Sequence, residues 1–359
     1  MYRVPSPRVP LLSVVVPVHR VERYLPTCLD SILAGAGSEV EIVAVDDASP
    51  DSSGQLLDDY ARRDPRVRVA HLPTNVGLGR ARNAGLDQAT GAYVWFVDSD
   101  DWLPAGSVPA VTGRLAASRP DVLMVDFAQV YPDGQLAELP PGPALTAVPA
   151  PVRLAERPEL LELPLITSAC TKLVRREFLT RIGLRFSPGW YEDCAFSVPL
   201  LLAADRIDIL DRVCYHYRRR GDGAITTSVS SRHFDIFEQY DRMWSWVGIS
   251  PDHQALRPAL FRLMVDHLLI VAGNEQRLPP ERRREFFGRM VEEYHRRLPE
   301  QGYRPAGGVT GLKHRLVRHH AYLAYAMLRL LRRAAGTGRR TTRATGAATA
   351  GQSADLTAR

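Results

Sequence analysis

Short apolar runs alternate with helix-periodic segments in the first third of the chain. Five runs rich in β-branched and aromatic residues have the length of buried strands: 11–18, 40–45, 67–71, 93–97 and 121–130. Between them, apolar residues recur every three or four positions, which predicts helices over 22–33, 51–63, 75–89 and 105–118. Strands that alternate with helices through short loops favour a mostly parallel sheet covered on both faces. We therefore predict an α/β fold of the Rossmann-like kind.

The pattern changes after residue 130. Residues 131–151 are rich in Pro and Gly and predict a long loop. The elements predicted beyond it are a helix beginning near Lys172, a helix over 192–204, a strand over 206–219, and helices over 234–247, 254–272, 281–297 and about Leu312–Arg333. We expect an α/β domain over 1–230, a helical C-terminal region over 231–333, and a disordered tail over 334–359, which lacks apolar periodicity.

Composition is that of an ordinary soluble protein, and no apolar run reaches the ~18–20 residues that span a bilayer. The first residues lack the apolar core of a secretory signal, and the four cysteines show no metal-binding spacing, so we expect a cytoplasmic protein with free thiols. The net charge of the whole chain is +6 and that of residues 312–359 is +9, so the net charge of residues 1–311 is −3. Because residues 1–311 carry no excess of positive charge, we do not expect nucleic acid as a partner.

Carboxylates follow two of the predicted strands. Asp46 and Asp47 end the second strand, and Asp98, Asp100 and Asp101 follow the fourth. In open α/β sheets, ligands bind beyond the carboxyl ends of the strands, where these side chains converge. Asp98 and Asp100 point to the same side of an extended chain, and such a pair suits Mg²⁺ or Mn²⁺ that keeps positions open for phosphate oxygens. Taken alone, the same run also fits an acidic turn that caps the next helix, and Asp101 keeps that alternative as a helix cap.

Other nucleotide motifs do not fit. Gly77-Leu-Gly-Arg resembles the start of a dinucleotide fingerprint, but the third glycine would fall at Arg82. The phosphate loop GxxxxGK[ST] and the zinc motif HExxH are both absent from the sequence.

Seven short motifs, in order, carry a family resemblance. They are Val16–Leu25, Val45–Asp51, Asn75–Gly77 with Ala81–Gly85, Asp98–Asp101, Thr171–Leu173, Tyr191–Asp193 and Tyr215–Arg218. Together they resemble the family 2 glycosyltransferases of the GT-A fold, over residues 11 to about 227. The later motifs, within about 150–230, are similar to the acceptor side of members that build bacterial capsules, teichoic acids and other surface polymers.

The resemblance implies a metal-dependent, inverting transfer of a sugar from a nucleotide-sugar, most often a UDP-sugar, to a hydroxyl of a glycan, polyol-phosphate or lipid-linked acceptor. The residues expected to bind the nucleotide-sugar are Pro17, Val18, Glu22, Asp46, Asp47, Asn75, Gly77, Arg82, Asn83, Asp98 and Ser99. The metal, Mn²⁺ or Mg²⁺, is expected at Asp100 and Asp98. Asp193, beside Glu192, is expected to be the general base, and one base opposite the leaving group implies inversion.

Several of these assignments have structural alternatives. Arg82 and Asn83 could form the polar face of a helix start, and Glu192 and Asp193 an acidic pair favoured by a helix dipole. Further positions with two interpretations are Lys172 and Arg218, as phosphate ligands or ion-pair partners, and His216, as an extra metal ligand or a core histidine.

Two other functions stay open, an inactive nucleotide-sugar-binding or assembly module and a nucleotidyltransferase. The basic amphipathic helix predicted over Leu312–Arg333 also has two interpretations. It binds an anionic membrane, which would place the protein at the inner face of the plasma membrane, or it docks on its own domain.

Overall fold

The computed structural model of the protein describes residues 9–138, 151–163, 166–220, 228–248, 250–305 and 307–331. Within these ranges, eight strands form one mixed sheet of order β3-β2-β1-β4-β7-β5-β6, and β8 pairs with β5. The predicted α/β class is thereby confirmed.

The first four strands are parallel and bring their carboxyl ends to one edge. They are β1 (Leu12–Val18), β2 (Val40–Asp46), β3 (Val67–His71) and β4 (Tyr93–Phe96). Every residue of β1 and β2 is buried, which explains their continuous apolar runs. The helices that follow these strands are α1 (Leu25–Leu33), α2 (Ser53–Arg63), α3 (Leu78–Gln88) and α4 (Ser107–Ser118).

The second half of the sheet contains β5 (Val122–Val130), β6 (Leu136–Glu138), β7 (Lys172–Arg175) and β8 (Ile207–Arg218). β7 lies antiparallel between β4 and β5, whereas β8 runs parallel to β5. The helix predicted to begin near Lys172 is therefore wrong at its start. Leu173 and Val174 are fully buried between two strands, and α5 begins only at Arg176 (Arg176–Ile182). The predicted loop 131–151 contains β6, and residues 139–150 lie outside the described residues.

Two apolar clusters cover the two faces of the sheet. One holds side chains of α1, α2 and α4. The other holds side chains of α3, α5 and the C-terminal helices, which are α6 (Glu192–Ala203), α7 (Asp235–Val247), α9 (Arg257–Gly273) and α10 (Arg283–Arg297). The C-terminal helices thus share the core of the sheet. The short α8 (Pro251–Ala255) joins α7 to α9.

The last predicted helix is two helices. α11 (Gly308–Arg318) ends at a turn in which His320 has φ 55°, and a second helical segment covers 322–331. The single helix predicted over Leu312–Arg333 is therefore wrong, because an L-residue with positive φ interrupts the helix. The predicted tail 334–359 lies outside the described residues. Among the helices that are described, none has the length and apolar content required to cross a bilayer.

Candidate active site

Asp46 and Asp47, at the end of β2, shape the edge of the sheet. Both oxygens of Asp47 accept backbone N–H groups of the loop before α3, from Val76 at 2.6 Å and Gly77 at 2.9 Å. Asp46 accepts the N–H of Ser49 at 2.9 Å and lies 3.0 Å from Nδ1 of His71 at the end of β3. Burial acts to raise the pKa of Asp46, but these hydrogen bonds lower it below its ordinary value. Both carboxylates therefore fix the loops around them.

Three more residues expected at the nucleotide lie at the same edge. Pro17 and Val18 end β1 and are buried. The side-chain amide of Asn75 lies 3.1 Å from Nδ1 of His19 and 3.3 Å from the carbonyl of Asp47. β1, β2 and the loop before α3 thus meet, as predicted from their order in a parallel sheet.

Glu22 binds a neighbouring loop. Its carboxylate accepts the N–H of Ser52 at 2.8 Å, while its own N–H donates to the carboxylate of Asp51 at 3.2 Å. This reciprocal pair joins the segment after β1 to the start of α2. Glu22 therefore supports the loops of the site through contacts with the chain itself.

Arg82 is the centre of the site. Its guanidinium is 1% exposed and donates to three carboxylates: Asp98 at 2.7 Å, Glu192 at 2.7 Å and Asp193 at 2.6 Å. These carboxylates come from the end of β4 and the first turn of α6, more than 90 residues apart in sequence. One cation thus joins the two acidic motifs. Arg82 was expected at the nucleotide-sugar, and its described partners are carboxylates of the chain itself.

Burial raises the pKa of both carboxyls at the start of α6, Glu192 and Asp193. It raises the pKa of Asp193, with Arg82 opposing the shift and the charge of Asp98 adding to it. It also raises the pKa of Glu192, where the charge of Asp193 adds to the effect. Glu192 is buried, but the side chain of Asp193 is 23% exposed and also accepts the N–H of Ala169 at 3.1 Å. Asp193 is thus the member of the pair that solvent reaches.

The acidic turn after β4 is held by β8. The buried carboxylate of Asp101 accepts the hydroxyl of Tyr215 at 2.6 Å and the backbone N–H of Arg218 at 2.7 Å. The Tyr215 oxygen also accepts the N–H of Asp98 at 3.2 Å. Because α4 begins at Ser107, Asp101 does not cap the following helix, and that alternative is wrong. Asp101 is instead a buried anchor of the turn.

Two arginines from β8 and the residues after it face Asp100. Arg218 donates to its backbone carbonyl at 2.7 Å, and Arg220 lies 2.8 Å from its carboxylate. Arg218 also lies 4.3 Å from the ring centroid of Trp102. Burial raises the pKa of the Asp100 carboxyl, and the charge of Asp98 adds to this effect. The two carboxylates therefore repel each other, which a cation between them would relieve.

The described residues contain no group of three or more His, Cys, Asp or Glu side chains arranged to hold a metal ion. A divalent cation at Asp98 and Asp100 would therefore take most of its ligands from water and phosphate, which is how Mg²⁺ commonly binds. His216 packs edge-on against Trp102, with ring centroids 5.1 Å apart, and lies outside such a group.

Lys172 is fully buried. Its ammonium donates to the carbonyl of Ser168 at 2.6 Å and to the hydroxyl of Thr171 at 3.1 Å. Burial lowers the pKa of Lys172 to about 7, against an opposing effect of Asp193. A fully buried ammonium does not fit the surface ion pair that was the alternative for Lys172, and its role as a phosphate ligand stays a prediction.

The remaining expected residues have supporting positions. Asn83 pairs both ends of its amide with the backbone of Phe186, at 2.8 and 3.0 Å, and so joins α3 to the segment before α6. Gly77 precedes α3 with φ 87°, a conformation that favours glycine. Ser99 is buried in the turn after β4.

Sequence reasoning gave no role to three residues of the site. Tyr215 and Arg220 hold the acidic turn, and His71 pairs with Asp46. Tyr215 lies in a quoted motif, and the positions of the other two could have indicated their roles. His71 pairs with Asp46 in the register of β2 and β3, and Arg220 follows Arg218 at the spacing that repeats on one side of an extended chain.

The fold is of the GT-A class. The solved structure of residues 1–349 of TarS from Staphylococcus aureus, in complex with UDP-GlcNAc, superposes with a TM-score of 0.67 at 23% identity, covering 81% of this chain and 82% of that one. Residues 13–183 match the model of Glycosyl transferase family 2, which confirms the family resemblance over that part of the chain.

Curated relatives are bacterial glycosyltransferases. The chain is 33% identical over 212 residues to the uncharacterized glycosyltransferase EpsJ of Bacillus subtilis (strain 168), covering 58% of this chain and 61% of EpsJ. It is 29% identical over 234 residues to the poly(ribitol-phosphate) beta-N-acetylglucosaminyltransferase TarS of Staphylococcus aureus (strain Mu50 / ATCC 700699), covering 63% of this chain and 38% of TarS. The chain thus spans less than two thirds of the length of these two relatives.

Proposed function

We propose that the protein is an inverting, metal-dependent glycosyltransferase. It would move a sugar from a nucleotide-sugar, most often a UDP-sugar in this family, to a hydroxyl of a cell-surface glycan or polyol-phosphate acceptor, which could be lipid-linked. The observation that carries the proposal is the contact of Arg82 with Asp98, Glu192 and Asp193, because it joins the two acidic motifs in one site. The UDP-GlcNAc bound to TarS and the ribitol-phosphate acceptor in the name of that protein support the donor and acceptor classes.

Asp193 is the general base of this proposal. Glycosyl transfer requires that the acceptor hydroxyl lose its proton as its oxygen attacks the anomeric carbon. The carboxylate of Asp193 is partly exposed, and the Ala169 N–H and the Arg82 guanidinium fix its orientation. Burial raises the pKa of Asp193, which makes its carboxylate a stronger proton acceptor than an ordinary aspartate.

The different exposure of Glu192 and Asp193 supports inversion as part of this proposal. Glu192 is buried against Arg82, so Asp193 alone of the pair is exposed to an acceptor. A retaining double displacement would need a second carboxylate placed as nucleophile on the sugar's other face. A single base with direct displacement is the simpler mechanism for this pair.

Asp98 and Asp100 would hold Mn²⁺ or Mg²⁺ in the proposed enzyme. The metal would neutralise charge on the departing nucleoside diphosphate. Arg218 and Arg220 lie at the same turn and would add positive charge there. If Asp100 binds the metal, Asp100→Asn should weaken Mn²⁺-dependent binding of UDP in isothermal titration, and unchanged affinity would remove it from the metal site. Glu177→Gln, an exposed carboxylate, is the matched control.

The decisive experiment is product analysis with a panel of nucleotide-sugars and Mn²⁺. Wild type should release a nucleoside diphosphate, and Asp193→Asn should lower turnover by ~10²–10⁴-fold while donor binding persists. Asp211→Asn, an exposed carboxylate on β8, should leave turnover unchanged. Equal turnover in wild type and Asp193→Asn would favour the binding-module alternative. Release of pyrophosphate would favour a nucleotidyltransferase.

A cytoplasmic location belongs to the same proposal. The four cysteines are free and buried, which suits a reducing compartment. A nucleotide-sugar as the donor is consistent with a cytoplasmic location.

A further inference from the structure

The helical segment 322–331 has two different faces. One face is docked on the protein: Tyr325 is buried, its ring centroid lies 5.2 Å from that of Phe287, and Arg329 lies 3.7 Å from the carboxylate of Glu275. The segment is therefore held in place by aromatic packing and an ion pair.

The opposite face is apolar and exposed. Its four large side chains are Leu323, Met327, Leu330 and Leu331, which are 77%, 63%, 61% and 66% exposed. Their spacing of four, three and one places them along a single stripe of a helix. Single exposed apolar residues are common on proteins, but a stripe on a docked helix marks a contact surface.

Basic residues lie at both ends of this stripe in sequence. Arg315 and Arg318 are exposed on the preceding helix, and Arg332 and Arg333 follow directly. Residues 312–359 carry +9 in a chain whose other residues carry −3, so positive charge is concentrated beside the stripe. An apolar face flanked by arginines matches the chemistry of an anionic bilayer surface.

Other occupants fit less well. Residues 332–359 contain Leu356 as their one large apolar residue, so the tail lacks the side chains to cover the stripe. A second copy of the chain would have to bury ~800 Å² on each partner, and four side chains supply only part of that. It would also bring two arginine clusters together.

We propose that the face formed by Leu323, Met327, Leu330 and Leu331 binds an anionic lipid bilayer as a peripheral anchor. The inference does not rest on the proposed function, because it concerns a surface that contains no residue of the sugar-transfer site. It also joins the two interpretations of this region: the helix is docked on its own domain and presents its other face to lipid.

The test is sedimentation of the full chain with vesicles. Wild type should sediment with vesicles of phosphatidylglycerol and phosphatidylcholine, stay in the supernatant with phosphatidylcholine alone, and be released by high salt. Leu323→Gln/Met327→Gln should lower partitioning about tenfold or more for each side chain removed from lipid. Arg332→Gln/Arg333→Gln should weaken binding and its dependence on salt.

The matched control is Val9→Gln/Leu136→Gln, two apolar residues that are 71% and 56% exposed elsewhere. It should sediment like wild type, and equal melting temperatures would show that every variant is folded. Supernatant protein with anionic vesicles, or equal binding by wild type and Leu323→Gln/Met327→Gln, would overturn the proposal. Light scattering that shows a dimer dispersed by Leu323→Gln/Met327→Gln, without vesicle binding, would overturn it in favour of a second copy.

Discussion

At the scale of single residues, Arg82 determines the geometry of the site. A fully buried cation with three carboxylates leaves a net negative charge that its neighbours must tolerate, and burial raises the pKa of two of those carboxyls. Removing one member of a buried ionic network leaves the others uncompensated, at a cost of ~3–5 kcal/mol.

Arg82→Met should therefore lower both stability and activity. We expect a loss of ~3–5 kcal/mol in the free energy of unfolding. The pH at which activity is half-maximal should also rise, since Arg82 opposes the increase in the pKa of Asp193. Urea unfolding and the pH profile of turnover would measure these effects. Arg80→Gln, an exposed arginine on the same helix, should change neither, and a similar loss there would contradict a specific role for Arg82.

The burial of Lys172 predicts how the free energy of unfolding depends on pH. Its pKa of about 7 in the folded protein is below the ordinary value of 10.5. Between about pH 7 and pH 10 the unfolded chain therefore binds more protons, and stability rises with pH, by up to ~1.4 kcal/mol per unit. Below pH 7 Lys172 is protonated in both the folded and the unfolded state. The free energy of unfolding is then lowered by the full cost of burying the charged ammonium, and this contribution no longer changes with pH. Lys172→Met should remove this rise.

Urea unfolding of wild type and Lys172→Met at several pH values would check this expectation. The difference in stability between the two proteins should change from pH 7 to pH 10. Lys313→Met replaces the only other lysine of the sequence, on α11, and should keep the wild-type slope. A slope that Lys172→Met leaves unchanged would show that Lys172 stays charged when folded.

At the scale of elements, the link between β8 and the turn after β4 fixes the acidic motif. The Tyr215 hydroxyl joins Asp98 and Asp101 where both are close to the core. Loss of a buried hydrogen-bond partner costs ~1–3 kcal/mol. We expect Tyr215→Phe to destabilise the protein by that amount in urea unfolding, and Tyr217→Phe on the same strand to cost less than about 0.5 kcal/mol. Equal effects of the two changes would mean that the hydroxyl of Tyr215 does not hold the turn.

The pattern of apolar residues in the sequence predicted most helices and strands. It failed where contacts with neighbouring elements determine the structure. β1 to β4 follow from continuous apolar runs, since both faces of these strands are buried. β7 was missed because Lys172–Arg175 is short, and its extended form depends on the gap between β4 and β5. The break at His320 was missed because it depends on a backbone angle that the apolar periodicity does not record.

The same distinction applies to the site. The carboxyl ends of parallel strands meet by topology, so Asp46 and Asp98 were predictable from their positions. The partners of Arg82 were not, because Glu192 lies 110 residues further along and reaches it only through the packing of α6 on the sheet. Motif order selected residues that the structure brings together around Arg82, but it did not give their mutual contacts.

At the scale of the whole molecule, one apolar cluster joins the sheet to the C-terminal helices. It contains Val15 of β1 and also Ile236, Phe237, Tyr240 and Met243 of α7. The predicted boundary at residue 230 therefore divides a shared core. Removal of α7 would delete these four buried side chains and expose the core that they cover. The burial of each is worth ~1.5–3 kcal/mol, against a total stability of ~5–15 kcal/mol for a typical domain.

A chain that ends at residue 230 should for this reason fail to fold, although the family match ends at residue 183. We expect it to aggregate or to lack a cooperative thermal transition in calorimetry. A chain that ends at residue 331 keeps every described helix and should melt at the wild-type temperature. If the shorter chain melts cooperatively and binds UDP with wild-type affinity, residues 231–331 form a separate domain and the shared core is dispensable for the site. If it unfolds while the longer chain keeps both properties, the C-terminal helices are part of the catalytic fold.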